Sequence, residues 1–179
     1  MLYLFGFDRI GVAVSDIYFV DPEPIPGQEG AERGVRLEIR RLEQGELKGS
    51  IYSARPIAVD RPLWRIDLLE SVESAPGSFD RTHHHPTIEG WEPGPRVFDT
   101  ELSGEPLKWL GARLVDLEGV LDEVGFDRGE VSAADVAGLR DRAPEIVDTV
   151  ARLLERIHTG ELGTPPDAGS ATSVRASWL

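Results

Sequence analysis

Three of the four histidines in this chain follow one another at residues 83–85, and carboxylates stand on both sides of them. On an extended strand the side chains of His83 and His85 point to one side, while His84 points to the other. Two imidazoles on one face can converge on a single cation, and a nearby carboxylate could complete the set. The candidates for that carboxylate are Asp80, before the histidines, and Glu89, after them.

Two histidines and one carboxylate suit Fe(II), Mn(II), Zn(II) or Ni(II) and leave coordination positions open for a substrate. A ligating imidazole must be neutral, and its second ring nitrogen needs a hydrogen-bond acceptor. In the segment WRIDLLE the apolar residues at positions 64, 66 and 68 take one face of a predicted strand. The other face then carries Arg65 and Asp67, so Asp67 is the candidate acceptor behind the ligands.

The same region contains side chains that could hold a substrate. Arg65 or Arg96 could orient an anionic group through two parallel hydrogen bonds. Trp91 lies in the Pro- and Gly-rich segment GWEPGPR. It could form a stacking surface over the mouth of a pocket, or it could anchor this loop to the core.

The histidine segment also resembles a known family. Gly77, His83, His85 and Glu89 have the spacing of the first metal-binding motif of the cupins. The resemblance implies a small β-barrel in which the two histidines and Glu89 bind a metal ion. It is confined to this one segment, because a second cupin motif is not found in the sequence.

A simpler interpretation needs no metal. The segment RTHHHP could be an exposed strand end at which Pro86 stops the ladder and the imidazoles bond to nearby carboxylates. If His83 and His85 do bind a cation, removing either should abolish binding, whereas removing His84 should not. Binding should also weaken below about pH 6, since protons compete for imidazole nitrogens.

The elements that must position these residues change character near Asp99. Up to Phe98 the pattern alternates with a period of two, as in VRLEIR, and turn signals such as DPEPIPGQEG separate the runs. This predicts a meander of five or six antiparallel strands, as a curved sheet or a partly open barrel. Beyond Asp99 the apolar residues recur about every 3.6 residues, which is typical of helices.

Three or four helices are predicted over residues 104–160. An apolar stripe over residues 107–124 ends at Gly125, where a left-handed residue fits, and Gly111 or Gly119 could divide the stripe. Farther along, Ser132 and Asp135 have the spacing of a capping pair. Pro144 fits the first turn of a further helix, which Gly160 would end.

These patterns predict an α+β fold in one domain, residues 1–162. Its β-rich part, residues 1–99, is covered by the helical part, residues 104–160. The alternative is a divergent cupin-like barrel. Residues 163–179 are small, polar and proline-containing, and they are expected to form a flexible tail that ends in the apolar pair Trp178–Leu179.

Composition narrows the class of protein. The chain has 32 acidic and 19 basic residues and a formal net charge of −13, which repels nucleic acids and anionic lipids. It has no cysteine, which rules out disulfides and thiolate metal sites. With no recognisable signal peptide or membrane span, we expect a soluble cytoplasmic protein with neither a nucleic-acid nor a membrane partner.

Two functions fit these observations. The first is a small metal-assisted enzyme or small-molecule-binding protein with its site at one end of the sheet. The second is a non-catalytic acidic interaction or inhibitor-type protein that binds a basic protein partner. Metal that stays on the protein through dialysis favours the first, and salt-sensitive binding of a partner without metal favours the second.

Overall fold

The first half of the chain forms an antiparallel sheet in which the strands lie side by side in chain order. The computed structural model describes residues 1–166 of the chain. The five strands of the sheet are β1 Leu2–Gly6, β2 Ile10–Val20, β3 Ala31–Gln44, β4 Ile57–Ser71 and β5 His83–His85. In this meander β1 and β5 are the two edge strands and do not pair with each other, so the sheet is open and is not a cupin-like barrel.

A long loop follows β5 and returns to it. It contains a separate two-stranded hairpin, β6 Ile88–Glu89 and β7 Glu92–Pro93, which turns at Gly90 with a φ of 64°. After the hairpin, His84 and Val97 exchange backbone hydrogen bonds of 3.0 and 2.9 Å. The loop is therefore fastened at the edge of the sheet next to the histidine strand.

Helices follow from Thr100 onward. Their bounds are α1 Thr100–Gly104, α2 Pro106–Val115, α3 Leu117–Glu123 and α4 Ala133–His158, with a 3-10 turn at Arg128–Glu130. The Asp99 carboxylate caps α1 by accepting from two backbone N–H groups of its first turn. No strand follows Gly104 within the described chain, which confirms the predicted α+β order of a sheet and then helices.

The predicted apolar stripe over residues 107–124 is divided into two helices, but neither Gly111 nor Gly119 is the point of division. Asp116 separates α2 from α3, and its carboxylate accepts from the Gly119 N–H at 3.1 Å. Gly111 lies inside α2, where a β-carbon would sit 3.6 Å from Val147 of α4. The stripe ends at Gly125 with a φ of 65°, as predicted.

Pro144 does not begin a helix, and this prediction is wrong. It lies inside the continuous helix α4. Proline removes one backbone hydrogen bond, to the carbonyl of Arg140, but both residues are on the exposed side, where water can bond to that carbonyl. Packing of the opposite side of the helix against the sheet holds α4 together. Among residues 1–166, no helix is both long and apolar enough to cross a membrane.

The core lies between one face of the sheet and the helical layer, because each has only one apolar face. Its largest fully buried side chains come from both layers: Ile10, Leu37, Ile39, Trp64, Ile66 and Leu68 from the strands, and Leu102, Leu110, Leu114, Leu117 and Leu121 from the helices. Within residues 1–166 no helix packs on the opposite face of the sheet. That outer face carries charged side chains such as Arg36 and Glu38 beside apolar ones such as Leu4 and Ile17.

Asp135 fastens α4 to the sheet as well as capping it. Its Oδ2 accepts from the N–H and hydroxyl of Ser132 at 2.8 and 2.9 Å, which confirms the predicted capping pair. Its Oδ1 accepts from the N–H groups of Asp8, Arg9 and Ile10, at 2.9, 2.9 and 3.4 Å. The carboxylate is fully buried, so one side chain satisfies both the start of α4 and the turn between β1 and β2.

Most of the predicted tail, including Trp178 and Leu179, lies outside the described residues. At its beginning, the N–H of Gly163 donates to Asp16 of β2 at 3.2 Å. Leu162 packs against the core. Residues up to Gly163 are therefore attached to the domain.

Candidate metal centre

Strand register brings the candidate residues together on the outer face. Asp67 of β4 lies directly opposite His83 of β5, and Arg65 lies opposite His85. On the other side of β4, Arg36 of β3 lies opposite Asp67. Side chains directly opposite in an antiparallel pair share a face, so these five residues form one cluster.

Asp67, His83 and His85 are arranged as a possible ligand set. The Nε2 atoms of His83 and His85 lie 3.5 and 3.6 Å from Asp67 Oδ2. The two rings meet edge to face, with centroids 4.9 Å apart. All three residues are buried, with 1%, 0% and 5% of their surface exposed, respectively. Within residues 1–166, they are the one group of three His or carboxylate side chains that could hold a metal ion.

Both imidazoles are oriented by backbone carbonyls. Nδ1 of His83 lies 2.7 Å from the carbonyl oxygen of Arg81, and Nδ1 of His85 lies 2.7 Å from that of Gly94. A carbonyl oxygen only accepts, so each Nδ1 carries the proton and donates. In the neutral rings Nε2 then presents a lone pair, and in the described structure neither Nε2 has a hydrogen-bond partner.

Asp67 is held by two arginines. Arg36 donates from Nε to Oδ1 at 2.7 Å and from Nη2 to Oδ2 at 3.2 Å. Arg65 donates from Nε and Nη2 to Oδ2, at 2.9 and 2.7 Å. Burial by itself would raise the pKa of Asp67, but the positive charges of Arg36 and Arg65 hold it well below its ordinary value. Asp67 is therefore ionised.

Two of the three spacings between the ligand atoms are close to those around a shared transition-metal ion. Bonds of about 2.1 Å place two ligand atoms about 3.0–3.4 Å apart in octahedral or tetrahedral geometry. The distances from Asp67 Oδ2 to the two Nε2 atoms exceed this range by only a few tenths of an ångström. All three ligand atoms lie within 4.8 Å of one another.

His84 points to the opposite side of β5, into the core. Its ring lies 5.2 Å from the ring of Trp109 and 6.4 Å from that of Trp64, measured between centroids. Burial lowers its pKa, so the ring is neutral. Since all three histidines are buried, the interpretation of the segment as an exposed strand end is wrong.

Asp80 and Glu89, the two carboxylates proposed from sequence as metal ligands, lie outside the ligand set. Asp80 accepts from the N–H of Ser71 and from the hydroxyls of Ser74 and Ser78, and so organises the turn that leads to β5. Burial opposes ionisation there, but these hydrogen bonds lower its pKa. Glu89 is exposed on the hairpin. The carboxylate beside the histidines is instead that of Asp67. It faces their Nε2 atoms, so it is not the acceptor for the Nδ1 atoms that the sequence predicted.

Arg96 and Trp91 both belong to the loop that follows β5. Arg96 donates to Glu32 at 3.1 Å and to Asp21 at 3.3 Å. Trp91 is 59% exposed, and the guanidinium of Arg40 lies 5.3 Å from the centre of its ring. This contact attaches the loop to β3 on the outer face of the sheet.

A pocket of about 300 Å³ opens beside the ligand set. We call it the arginine pocket, because Arg36, Arg65 and Arg96 line it together with Asp67 and His85. The loop after β5 supplies another part of its wall through residues 93–95. A small molecule in the pocket would therefore contact a ligand histidine, the Asp67 carboxylate and three guanidinium groups.

Sequence reasoning missed Arg36 and the two carbonyl acceptors. The alternation in VRLEIR places Arg36 on the polar face of β3, but only the register of β3 against β4 sets it opposite Asp67. The carbonyls of Arg81 and Gly94 carry no signal in the sequence, because any residue has one.

The four residues that have the cupin-like spacing thus lie in a sheet that differs from a cupin barrel. The sheet is open, and Glu89 lies away from the histidines. Comparison of the chain with family models, with curated proteins and with solved structures finds no match, so membership of the cupin family is not shown.

Proposed function

We propose that Asp67, His83 and His85 bind one divalent transition-metal cation and that the arginine pocket admits a small molecule to it. The observation that supports this most directly is the pair of buried Nε2 atoms, which have no hydrogen-bond partner and face the same carboxylate oxygen. A lone pair aimed at a carboxylate is unfavourable unless a proton or a metal lies between them. One cation can bind both Nε2 atoms at once. Without it, each of the two rings would have to bind its own second proton.

The ligand set indicates which metals the site would select. Imidazole nitrogen and carboxylate oxygen suit Fe(II), Mn(II), Zn(II) and Ni(II), and three protein ligands leave positions open toward the pocket. When bound, such a cation acts as a Lewis acid on a substrate oxygen. The carbonyls of Arg81 and Gly94 fix the imidazole tautomer that coordination requires.

The metal content of the purified protein tests the proposal. After dialysis against a weak chelator, elemental analysis is expected to find about one equivalent of a transition metal per chain. Glu89→Gln is the matched control, because it removes the carboxylate of the cupin motif but leaves the buried ligand set intact. Wild-type protein that cannot be loaded with metal would refute the proposal, and loss of metal from Glu89→Gln would make Glu89 the third ligand.

The acceptor for His85 provides a second prediction. A β-carbon added at Gly94 would lie 2.2 Å from the Thr87 hydroxyl and 3.0 Å from its carbonyl oxygen. In Gly94→Ala the loop must shift, and the carbonyl that orients His85 moves with it. We expect metal affinity to fall by about 10–100-fold, the range typical when such an acceptor is lost.

Competition with a chromophoric chelator measures this change, and a second substitution checks its cause. In the double variant Thr87→Ala/Gly94→Ala the hydroxyl that causes the closest contact is gone, so part of the affinity should return. If Gly94→Ala binds metal as tightly as the wild type, the loop has no part in holding His85.

A further inference from the structure

The Oδ2 atom of Asp67 has more hydrogen-bond donors than it can keep once a cation is bound. It accepts from Nε and Nη2 of Arg65 and from Nη2 of Arg36. A carboxylate offers about four acceptor positions in all, two on each oxygen. A metal bond to Oδ2 therefore has to displace at least one guanidinium.

Arg65 is the arginine that has to move. Arg36 also bonds to Oδ1, at 2.7 Å, and keeps that contact when Oδ2 is taken. Both hydrogen bonds of Arg65 to Asp67 end on Oδ2, and the Arg65 side chain has no other hydrogen-bond partner in the described structure. Metal binding at Oδ2 thus frees the guanidinium of Arg65.

The freed guanidinium already lines the arginine pocket. Arg96, which also lines this pocket, is held by Glu32 and Asp21. The two guanidinium groups of Arg36 and Arg65 and the one carboxylate of Asp67 have a net charge of about +1. A divalent cation would raise this charge by two. An anion in the pocket would reduce this excess charge, and a guanidinium fork matches the two oxygens of a carboxylate or phosphate.

We propose that metal binding converts Arg65 from a partner of Asp67 into a clamp for a small anionic molecule, so that metal and anion bind cooperatively. The ligand class is a small molecule with a carboxylate or phosphate group. This inference rests on the proposed metal site and adds its substrate class and the coupling between the two. By linkage, the anion strengthens metal binding by the same factor by which the metal strengthens anion binding.

Titration with Co²⁺, with and without a saturating anion, tests the coupling. The probes are succinate and methyl phosphate, which share the two-oxygen anionic group and distinguish carboxylate from phosphate ligands. In the wild type we expect at least one of them to tighten Co²⁺ binding by about tenfold, within the usual range for coupled sites. The visible spectrum of bound Co²⁺ and calorimetry both report this binding.

The variant Arg65→Gln separates the coupling from the metal site itself. Without the competing guanidinium it should bind Co²⁺ alone more tightly than the wild type, and neither anion should strengthen that binding. Arg41→Gln is the matched control, since it removes the same charge from an arginine that pairs with Glu130 outside the pocket. The Arg41→Gln protein should show the same anion effect on Co²⁺ binding as the wild type. Any complex that the anion forms with Co²⁺ in solution affects both proteins equally.

Two results would overturn the inference while leaving the metal site in place. One is wild-type protein that binds Co²⁺ with the same affinity in the presence of either anion. The other is an Arg65→Gln protein that keeps the full enhancement. If the wild type binds no Co²⁺ at all, the proposed function fails and the inference fails with it.

Discussion

The variants Asp67→Asn, His83→Ala and His85→Ala are each expected to lose the metal ion, with affinity reduced by more than about a hundredfold. Each removes one of three atoms that face one another in a buried cluster. Two remaining ligands cannot hold a cation against a weak chelator. Elemental analysis after dialysis, normalised to folded protein by circular dichroism, measures the result.

His84→Ala is the matched control, because it removes the neighbouring imidazole from the same strand. This side chain lies in the core against Trp64 and Trp109, so the variant should melt at a lower temperature but keep its metal. Equal metal content in wild type and all three ligand variants would contradict the assignment. Loss of metal from folded His84→Ala would place the site on the other face of β5.

Acid should leave Asp67 ionised until the pH is well below the range in which an ordinary carboxylate is protonated. The pKa of Asp67 is held well below its ordinary value by the neighbouring positive charges, although burial opposes this. Its ionised form therefore stabilises the fold above about pH 4, and this contribution is lost only as the pH falls through the lowered pKa. We expect the circular dichroism spectrum to be unchanged as the pH is lowered to about 4, and a loss of structure already near pH 6 would contradict this.

The largest loss of stability is expected for Asp135→Ala. The substitution leaves the N–H groups of Asp8, Arg9 and Ile10 without their buried acceptor, and it removes the half of the capping box in which Asp135 accepts from the Ser132 N–H. The buried Ile10 donor left without a partner costs about 1–3 kcal/mol, and each of the part-buried hydrogen bonds that are lost costs about 1 kcal/mol. The free energy of unfolding should fall by about 3–5 kcal/mol, or about 10 °C in melting temperature for a domain of this size.

Asp116→Ala is the control for this stability prediction, because it removes another aspartate cap that makes a single local bond to Gly119. Its loss should be about 1 kcal/mol. Chemical denaturation of both variants compares the two directly. If they lose equal stability, Asp135 is only a cap and does not join α4 to the sheet.

The order of a sheet followed by helices could be predicted from the sequence because the hydrophobic pattern of many residues indicates it. The change of period at Asp99 involves a whole sheet and several helices, so no single residue decides it. The continuity of α4 through Pro144 could not be predicted, since it depends on which side of the helix faces the sheet. A proline that breaks a helix in isolation is tolerated when the freed carbonyl is exposed to water.

The candidate site was predictable only in part. Alternation along β5 places His83 and His85 on one side, and this needs no knowledge of neighbouring strands. The third residue is different, because Asp67 is 16 positions earlier than His83 and meets it only through the pairing of β4 with β5. Glu89 is closer in sequence, but the loop after β5 carries it away.

The three histidines are identical, so they cannot by themselves specify how β5 aligns with β4. A slip of one residue would exchange the two faces of the strand. His84 would then be the single outward imidazole, and His83 and His85 would be pressed against the two core tryptophans. The bonds between Thr82 and the backbone of Leu69, both at 3.0 Å, prevent this slip. Thr82, whose side chain does not line the arginine pocket, therefore helps to determine whether the chain presents one imidazole or two.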